Sequence, residues 1–313
     1  MTAGKAIRIG TRGSKLARFQ AEEVRNRLVA AHPALGLPQA IEIHIIRTTG
    51  DKVLDRPLSE LGGKGLFTKE IEEALLRGDL DLAVHSMKDV PTWLPDGLCI
   101  AGCLPREDPR DGFVSRNYAG FADLPKGASL ATSSLRRQAQ AKHLRPDLRI
   151  VPMRGNVGTR LRKLSEGEAD AILLAVAGLK RLNLSDHITA TLEPDAFLPA
   201  AAQGAIGVEC RVGDSALRDF LEPIFDPLTN RCVAAERAAL AVLDGSCRTP
   251  IAALAEAVDR GTLLLRAMVA LPDGSLRYDA ERRGSTDDAE TIGREVGGEL
   301  RKKAGPEFFA SLG

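Results

Sequence analysis

The stretch LDLAVHSMKDVP occupies residues 80–91 and joins an apolar run, Leu80–Val84, to a polar loop. A short apolar run bounded by polar residues is typical of a buried β-strand. The chain before it alternates between such apolar runs and segments whose apolar residues recur at helical spacing. These patterns predict a strand at Ile7–Gly10, a helix at Ser14–Ala30 with Ser14 as N-cap, a strand at Ile41–Ile46 and a helix at Thr68–Arg77. Strands that alternate with helices predict βαβ units, and hence a mostly parallel sheet with helices on its faces.

A second unit repeats this order after Leu104-Pro105, which we interpret as a hinge. Its predicted elements are a strand at Ser129–Ala131, a helix from Ser134, a strand at Arg149–Val151, a helix from Val157 and a strand at Ala171–Ala175. Gln203–Cys210 is predicted to be one more strand. From about Asp226 the pattern becomes that of a small α+β domain with an antiparallel sheet, with a helix at Val233–Leu243, a strand at Leu263–Val269 and a turn at Pro272–Gly274.

Composition bounds the classes of function. A chain of 313 residues that is 44% hydrophobic can bury a large core and favours two or three domains. Lys and Arg number 43 against 42 Asp and Glu, and only 4% of residues are aromatic, which argues against a nucleic-acid partner. The N-terminus lacks the apolar segment of a signal peptide and no run approaches about 18 apolar residues, so we predict a cytoplasmic protein without membrane contact. The five cysteines are scattered, and we expect most to be reduced and buried.

Basic residues recur beside glycine, serine or threonine in short segments. These segments are Gly10–Ser14, His85–Pro91, Thr132–Arg137, Arg154–Arg160 and Gly178–Arg181. The planar guanidinium group matches a carboxylate, and loop backbone N–H groups add donors, so segments of this kind would bind a polyanion if they converge. We therefore predict a ligand rich in carboxylates.

Long motifs of the chain resemble the porphobilinogen deaminase (hydroxymethylbilane synthase) family, in order and without large gaps from about Arg8 to Arg283. They are Thr11–Ser14, Gly62–Phe67, His85–Pro91, Arg106–Asp111, Thr132–Arg137, Arg154–Arg160 and the segment around Cys247. The resemblance implies two α/β domains of the periplasmic-binding-protein type, joined by hinge strands, and a smaller C-terminal α+β domain. It places domain 1 at 1–104 with 203–222, domain 2 at 105–202 and domain 3 at 223–313.

The same resemblance implies a transferase that joins four porphobilinogen molecules head to tail into hydroxymethylbilane and releases ammonia at each step. Each substrate pyrrole carries an acetate and a propionate, which accounts for the arginine-rich segments. The family primes its product chain with a dipyrromethane cofactor held through a thioether, and the matching cysteine here is Cys247. The family motif has two glycines before this cysteine, whereas this chain has Gly245 and Ser246.

Residue roles also follow from the resemblance. Asp89 is the implied catalytic group, because a carboxylate that faces pyrrole N–H groups stabilises positive charge and is suited to proton transfer. By itself, an Asp before Val-Pro more commonly caps a turn. The implied cofactor-binding residues are Cys247, Lys88, Ser134, Arg136, Arg137 and Arg154. The implied substrate-binding residues are Arg12, Ser14, Lys64, Phe67, Arg160 and Arg181.

Two other classes of protein remain as alternatives. A two-domain binding protein for a small anion would explain the arginine-rich segments, but it needs neither Cys247 nor Asp89 and normally carries an export signal. A regulatory ligand-binding module would need a DNA-binding element, which the sequence does not show. Gly62–Gly65 lacks the spacing of a phosphate-binding loop, and no His, Cys and carboxylate cluster has metal-ligand spacing, so we predict no metal. The implied partner is porphobilinogen alone, bound by a monomer.

Overall fold

A computed structural model describes residues 6–37, 39–52, 65–243 and 249–312. Within these ranges the chain forms two compact units. The first comprises residues 6–37, 39–52, 65–107 and 205–230, and the second comprises residues 108–204, 231–243 and 249–312. The chain thus leaves the first unit after residue 107, returns to it at residue 205 and leaves it again after residue 230.

The first unit is built on a five-stranded sheet. Numbered along the whole chain, its elements are β1 (Ile7–Arg12), α1 (Lys15–Ala31), β2 (Ile41–Ile46), α2 (Thr49–Lys52), α3 (Lys69–Leu76), β3 (Leu82–Ser86), β4 (Leu98–Cys103), β10 (Ile206–Arg211) and α7 (Ser215–Leu221). The strand order is β2-β1-β3-β10-β4. Strand β1 pairs in parallel with β2 and β3, whereas β10 pairs antiparallel with β3 and β4.

This sheet corrects two details of the prediction. Two of its four strand pairs are antiparallel, so the sheet is mixed rather than mostly parallel. The strand predicted at Leu80–Val84 begins instead at Leu82, because the backbone N–H of Leu80 donates to Ala74 O of α3 at 3.3 Å rather than to the sheet. The strand predicted at Gln203–Cys210 is β10, and it lies in the first sheet as the family resemblance implies.

Helix α1 begins where the sequence predicts. Its N-cap Ser14 accepts a hydrogen bond from the backbone N–H of Ala17 at 3.2 Å. Ala21, Val24 and Leu28 recur at helical spacing and are fully buried in the core of the first sheet. The helix therefore holds the loop that joins it to Arg12, the last residue of β1, at the carboxyl end of the parallel strands.

The second unit contains another five-stranded α/β sheet. Its elements are β5 (Asp111–Ser115), β6 (Ser129–Ala131), α4 (Leu135–Leu144), β7 (Arg149–Val151), α5 (Val157–Ser165), β8 (Ala171–Ala175), α6 (Val176–Arg181) and β9 (Ala190–Leu192). The strand order is β7-β6-β8-β5-β9, with β6 parallel to β7 and β8, and β5 antiparallel to β8 and β9. Phe113, Leu130, Leu173 and Phe197 are buried in one of its cores.

The C-terminal part of the chain forms a three-stranded antiparallel sheet. Its elements are α8 (Pro227–Val242), β11 (Ile251–Asp259), β12 (Thr262–Ala270), β13 (Arg277–Ser285) and α9 (Ala289–Ala310). Leu263, Leu265 and Val269 of β12 alternate along the strand and are buried with the two helices in one core. Helix α8 begins at Pro227 rather than at the predicted Val233, and proline suits the first turn of a helix.

The turn between β12 and β13 packs against α4. Gln138 Nε2 donates to Pro272 O, and His143 Nδ1 donates to Gly274 O, each at 3.0 Å. Gly274 has φ +74°, and a Cβ at this position would lie 2.7 Å from Ala139 O in the helix backbone. Only glycine fits here, because both the positive φ and the close approach exclude a side chain.

The predicted fold class is confirmed: two α/β sheets are followed by a smaller α+β part. The three domain boundaries stay a prediction. Among the described cysteines, Cys103, Cys210 and Cys232 are buried and Cys99 is half-buried. No helix in the described ranges is long and apolar enough to cross a membrane.

Candidate active site

Two loops at the carboxyl ends of β1 and β3 bring Arg12 and Asp89 together. Arg12 is the last residue of β1, and Asp89 ends the short 3₁₀ turn Met87–Asp89 that follows β3. Arg12 Nη1 lies 3.9 Å from Asp89 Oδ2, with the side chains 23% and 37% exposed. Both charged groups are therefore partly open to a ligand.

Phe67 completes this arrangement. The Arg12 guanidinium carbon lies 4.1 Å from the centroid of the Phe67 ring, which is a close cation–π contact. Phe67 lies two residues after Gly65, whose φ of +80° is in the region that favours glycine. The ring holds the planar guanidinium group in a defined orientation.

A pocket surrounds these groups in the first unit. Gln20 Nε2 donates to Ser86 Oγ at 2.8 Å within it. Sequence reasoning missed Gln20, although a polar residue in the buried stripe of α1 could have indicated it. The lining residues are Arg12, Ser14, Leu16, Ala17, Gln20, Phe67, Thr68, Val84, His85, Ser86 and Asp89.

The turn that carries Lys88 and Asp89 is anchored by Met87. The Met87 side chain is 1% exposed, and its backbone N–H donates to Ala205 O at 3.1 Å. Gly207 lies against the Met87 side chain and leaves no room for a Cβ. Ala205, directly before β10, therefore supports the turn through the backbone of Met87, and Gly207 within β10 supports it through the side chain.

In the second unit, Arg136 and Arg137 converge on the buried carboxylate of Asp111. Arg136 Nη2 donates to Asp111 Oδ2, and Arg137 Nη2 donates to Asp111 Oδ1, both at 2.7 Å. Burial alone would raise the pKa of Asp111, but the two guanidinium charges, with hydrogen bonds from Arg137 and Gln203, hold it well below its usual range. The motif Arg106–Asp111 was noted in the sequence, but the role of its last residue was missed.

The remaining donors of these two arginines go mainly to backbone carbonyls. Arg136 Nη1 donates to Leu198 O at 2.6 Å, and Arg137 Nη1 donates to Leu173 O at 2.8 Å. Arg136 Nε is buried and has no hydrogen-bond partner among the described residues. Two buried guanidinium charges thus face one carboxylate, which leaves an excess of one positive charge in this cluster.

The other predicted residues of the second unit are all half-buried: Ser134, Arg154, Arg160 and Arg181. Ser134 is the N-cap of α4 and accepts from Arg137 N at 3.4 Å. Arg160 Nε donates to Gly155 O at 2.8 Å, and Arg181 Nη2 donates to Gly204 O at 2.7 Å. Each of these two guanidinium groups is therefore oriented by a backbone carbonyl.

Two predicted site residues, Lys64 and Cys247, lie outside the described ranges. Within those ranges, no three His, Cys, Asp or Glu side chains form a group that could hold a metal ion. The structure thus brings Arg12, Ser14, Phe67 and Asp89 to one pocket, and Arg136 and Arg137 to one carboxylate.

The chain is similar to known proteins over most of its length. The family model "Porphobilinogen deaminase, dipyromethane cofactor binding domain" matches residues 7–219, and "Porphobilinogen deaminase, C-terminal domain" matches residues 230–302. The chloroplastic porphobilinogen deaminase of Oryza sativa subsp. japonica is 52% identical over 308 residues, which cover 98% of this chain and 86% of the relative. The porphobilinogen deaminase of Nitrobacter winogradskyi is 54% identical over 301 residues, which cover 96% and 94%.

A solved structure is also similar. It is a Salmonella typhimurium periplasmic binding protein with high arginine specificity, which matches with a TM-score of 0.40 and 13% identity over 72% of this chain and 94% of that chain. The family assignment rests on the two family models and the two sequence relatives, because they cover most of the chain.

Proposed function

This chain belongs to the porphobilinogen deaminase family, and we propose how its residues carry out the family's reaction. The enzyme is a transferase of porphyrin and haem biosynthesis. It joins four porphobilinogen molecules head to tail into hydroxymethylbilane, with release of ammonia at each step, and its cofactor is a dipyrromethane. The assignment of individual residues below is the proposal.

Asp89 is the proposed catalytic residue. Positive charge develops on the substrate pyrrole as ammonia leaves, and a fixed carboxylate that faces the pyrrole N–H stabilises this charge. The reaction also releases a proton from a pyrrole α-carbon, and Asp89 is the proposed acceptor. Its partial exposure in the pocket, 3.9 Å from Arg12, supports this role because a substrate can reach the carboxyl group.

Arg12 and Ser14 are proposed to bind a substrate carboxylate in the same pocket, and Phe67 is proposed to take part in substrate binding by orienting Arg12. The guanidinium group of Arg12 is pre-oriented by the Phe67 ring, which lowers the entropy cost of a two-point hydrogen bond to a carboxylate. Ser14 caps the 17-residue helix α1, and the N–H groups at a helix N-terminus favour an anion. Lys64, from the motif Gly62–Phe67, is also proposed to bind the substrate.

The dipyrromethane fits the second unit on charge grounds. The cluster of Arg136, Arg137 and Asp111 is buried with one excess positive charge, and Arg136 Nε has no partner among the described residues. A buried charge is stable only when it is compensated, so a carboxylate is the group expected there. When bound, the dipyrromethane supplies a free pyrrole α-carbon as the nucleophile. The residues proposed to hold it are Cys247, through a thioether, with Lys88, Ser134, Arg136, Arg137 and Arg154.

Arg160 and Arg181 are proposed to bind further carboxylates as the product chain grows. Each is half-buried and has one guanidinium nitrogen on a backbone carbonyl, Gly155 O or Gly204 O. An arginine that is already oriented loses less side-chain entropy when it binds a carboxylate. Two negative charges per added pyrrole need such additional partners.

One observation carries the proposal: Arg12, Phe67 and Asp89 meet in a single pocket formed by motifs far apart in sequence. The intact mass of the purified protein tests the assignment of the cofactor to Cys247. We expect an excess mass matching a dipyrromethane, and its absence in Cys247→Ser. No adduct on protein from porphobilinogen-producing cells, even after incubation with porphobilinogen, would refute it.

We further propose that the enzyme acts as a monomer in the cytoplasm, with no nucleic-acid or membrane partner. The near balance of 43 basic and 42 acidic residues supports the absence of a nucleic-acid partner. Light scattering coupled to size-exclusion chromatography tests the oligomeric state, and a mass of twice 33.5 kDa would contradict it. Fractionation of the source cells tests the location.

A further inference from the structure

A buried imidazole–carboxylate pair lies behind the Asp89 pocket. A hydrogen bond of 2.9 Å joins His85 Nε2 to Glu209 Oε2, and the two side chains are 4% and 0% exposed. His85 also forms part of the pocket wall, together with Asp89 and Arg12. The reaction as assigned to Asp89 leaves this pair without a role.

The pair connects the end of β3 to β10. Side chains alternate along β3, so His85 is on the same face of the sheet as Ala83, which packs against α3. Ser86 is on the opposite face and contacts Gln20. Glu209 stands opposite Ala83 on β10, and it therefore reaches His85 on the α3 side of the sheet. The pair thus holds the last residues of β3 before the turn that carries Asp89.

A third titratable group, Glu72 of α3, lies close to the pair. Glu72 is 6% exposed, and burial raises its pKa; the charge of Glu209 adds to this increase, while Thr68 and His85 oppose it. Neither Glu72 Oε1 nor Glu209 Oε1 has a hydrogen-bond partner among the described residues. The charged or titratable groups around His85 are thus Glu209 from β10 and Glu72 from α3, with Arg12 and Asp89 along the pocket wall.

We propose that His85, held by Glu209, is a positioning residue for the reaction at Asp89. A carboxylate that is fully buried needs a partner to offset its lost hydration, and His85 is that partner for Glu209. In return, Glu209 fixes the orientation of the imidazole ring in the pocket wall. The pair thereby holds the Asp89 turn in place.

The test compares Glu209→Gln with a matched control in the same sheet. Glutamine keeps the shape and a hydrogen-bonding oxygen but removes the charge. His44 and Glu42 on β2 form a similar pair, at 3.1 Å, but their side chains are 42% and 54% exposed and neither lines the pocket, so His44→Gln is the control. With the cofactor-loaded enzyme, we expect Glu209→Gln to lower kcat roughly 10- to 100-fold, as displaced catalytic groups do, with KM within about twofold.

The pH profile of kcat gives a second readout. We expect Glu209→Gln to change the shape of the profile, because it alters the hydrogen bond that orients His85 in the pocket wall, while His44→Gln keeps the profile of the unmodified enzyme. A Glu209→Gln enzyme with unchanged kcat and pH profile would overturn the proposal. An equal loss in His44→Gln would do the same.

The double variant His85→Gln with Glu209→Gln separates positioning from stability. It removes both groups and leaves no unpaired buried charge, so we expect its melting temperature to exceed that of Glu209→Gln while kcat stays low. Recovery of both stability and kcat would show a merely structural pair. The proposal rests on the assignment of the chemistry to Asp89. If that assignment is wrong, Asp89→Asn will be active. If only the present proposal is wrong, Asp89→Asn will be inactive and Glu209→Gln will be fully active.

Discussion

Arg12 Nη1 lies 3.9 Å from Asp89 Oδ2, which is within range of an electrostatic attraction but longer than a hydrogen bond. The two side chains therefore form an ion pair without a direct hydrogen bond between these two atoms. Both side chains are partly exposed in the pocket, so a substrate can reach either one. This geometry suits a carboxylate that acts on N–H groups and an arginine that binds a carboxylate.

Asp89→Asn tests the first of these roles. Asparagine keeps the size but removes the charge and the basicity, so we expect kcat to fall by about 10²- to 10⁴-fold. Steady-state turnover of porphobilinogen measures it, with intact mass confirming that the cofactor is present. Asp96→Asn, an exposed carboxylate of the same unit, is the control and should leave turnover unchanged. Full activity of Asp89→Asn would remove Asp89 from the mechanism.

Phe67→Leu tests the orientation of Arg12. Leucine loses the cation–π contact, which is worth about 1 kcal/mol, and so we expect KM for porphobilinogen to rise roughly fivefold while kcat changes less. Phe19 lies on α1, is 38% exposed and does not line the pocket, so Phe19→Leu serves as the control. If KM of the Phe67 variant equals that of the control, the ring does not orient Arg12.

Asp111→Asn should be strongly destabilising. The variant leaves two buried guanidinium groups without their carboxylate, at a cost of about 3–5 kcal/mol in the free energy of unfolding. Urea unfolding near pH 7 measures this free energy. Asp79→Asn is the control, because the ion pair of Asp79 with Arg77 is about 60% exposed, and its free energy of unfolding should hardly change. A loss below about 1 kcal/mol for Asp111→Asn would show that the cluster does not depend on this charge.

The pKa of Asp111 also predicts the pH at which this stabilisation is lost. Because the two arginines hold the folded-state pKa well below the ordinary value of about 3.9, the folded protein binds the proton more weakly than the unfolded chain. The stabilisation is complete above about pH 4 and decreases as the pH falls toward the folded-state pKa. The difference between the unmodified protein and Asp111→Asn should therefore shrink only below about pH 4, and a constant difference down to about pH 2 would contradict this origin.

Glu72→Gln should change the pH dependence of stability in the opposite sense. Burial raises the pKa of Glu72, so the folded protein binds the carboxyl proton of Glu72 more tightly than the unfolded chain does. The free energy of unfolding therefore falls as the pH rises above about 4.3, the ordinary pKa of a glutamate. Glutamine cannot ionise, so the variant should gain stability relative to the unmodified protein as the pH increases through this window. Urea unfolding at several pH values measures it, with the exposed Glu73→Gln on the same helix as control. A pH-independent difference would contradict the raised pKa.

Gly274→Ala should displace α4, which carries Arg136 and Arg137. The added Cβ would lie 2.7 Å from Ala139 O, and the positive φ adds about 1 kcal/mol of strain, so we expect a loss of about 2–4 kcal/mol in the free energy of unfolding. Gly261→Ala separates the two effects, because Gly261 has φ +100° and no atom within 4 Å of its Cβ position. Equal losses in the two variants would show that contact with α4 contributes nothing.

Local sequence patterns predicted the elements better than the arrangement of the site. Ser14 is a helix N-cap as expected, and α4 begins directly after Ser134, where a helix was predicted, because capping depends on residues only three positions apart. The position of β10 between β3 and β4 could not be derived from periodicity, since strand pairing joins residues more than 100 positions apart. It followed only from the family resemblance.

The missed residues have a similar explanation. Asp111 and Glu209 lie in short strands whose other residues are mostly apolar or small. Their roles depend on hydrogen bonds to residues of other elements, Arg137 for Asp111 and His85 for Glu209. A buried charge is visible in a sequence only as an exception to a pattern. Its partner is identified by the tertiary fold.

The position of β10 has a consequence during protein synthesis. Strands β1, β2, β3 and β4 emerge from the ribosome well before residues 206–211, yet β10 separates β3 from β4 in the finished sheet. Until then, β3 and β4 present unpaired strand edges, which are templates for aggregation. A nascent chain stopped near residue 200 would hold its first sheet incomplete, and chaperones that bind exposed strands would encounter the protein at this stage of translation.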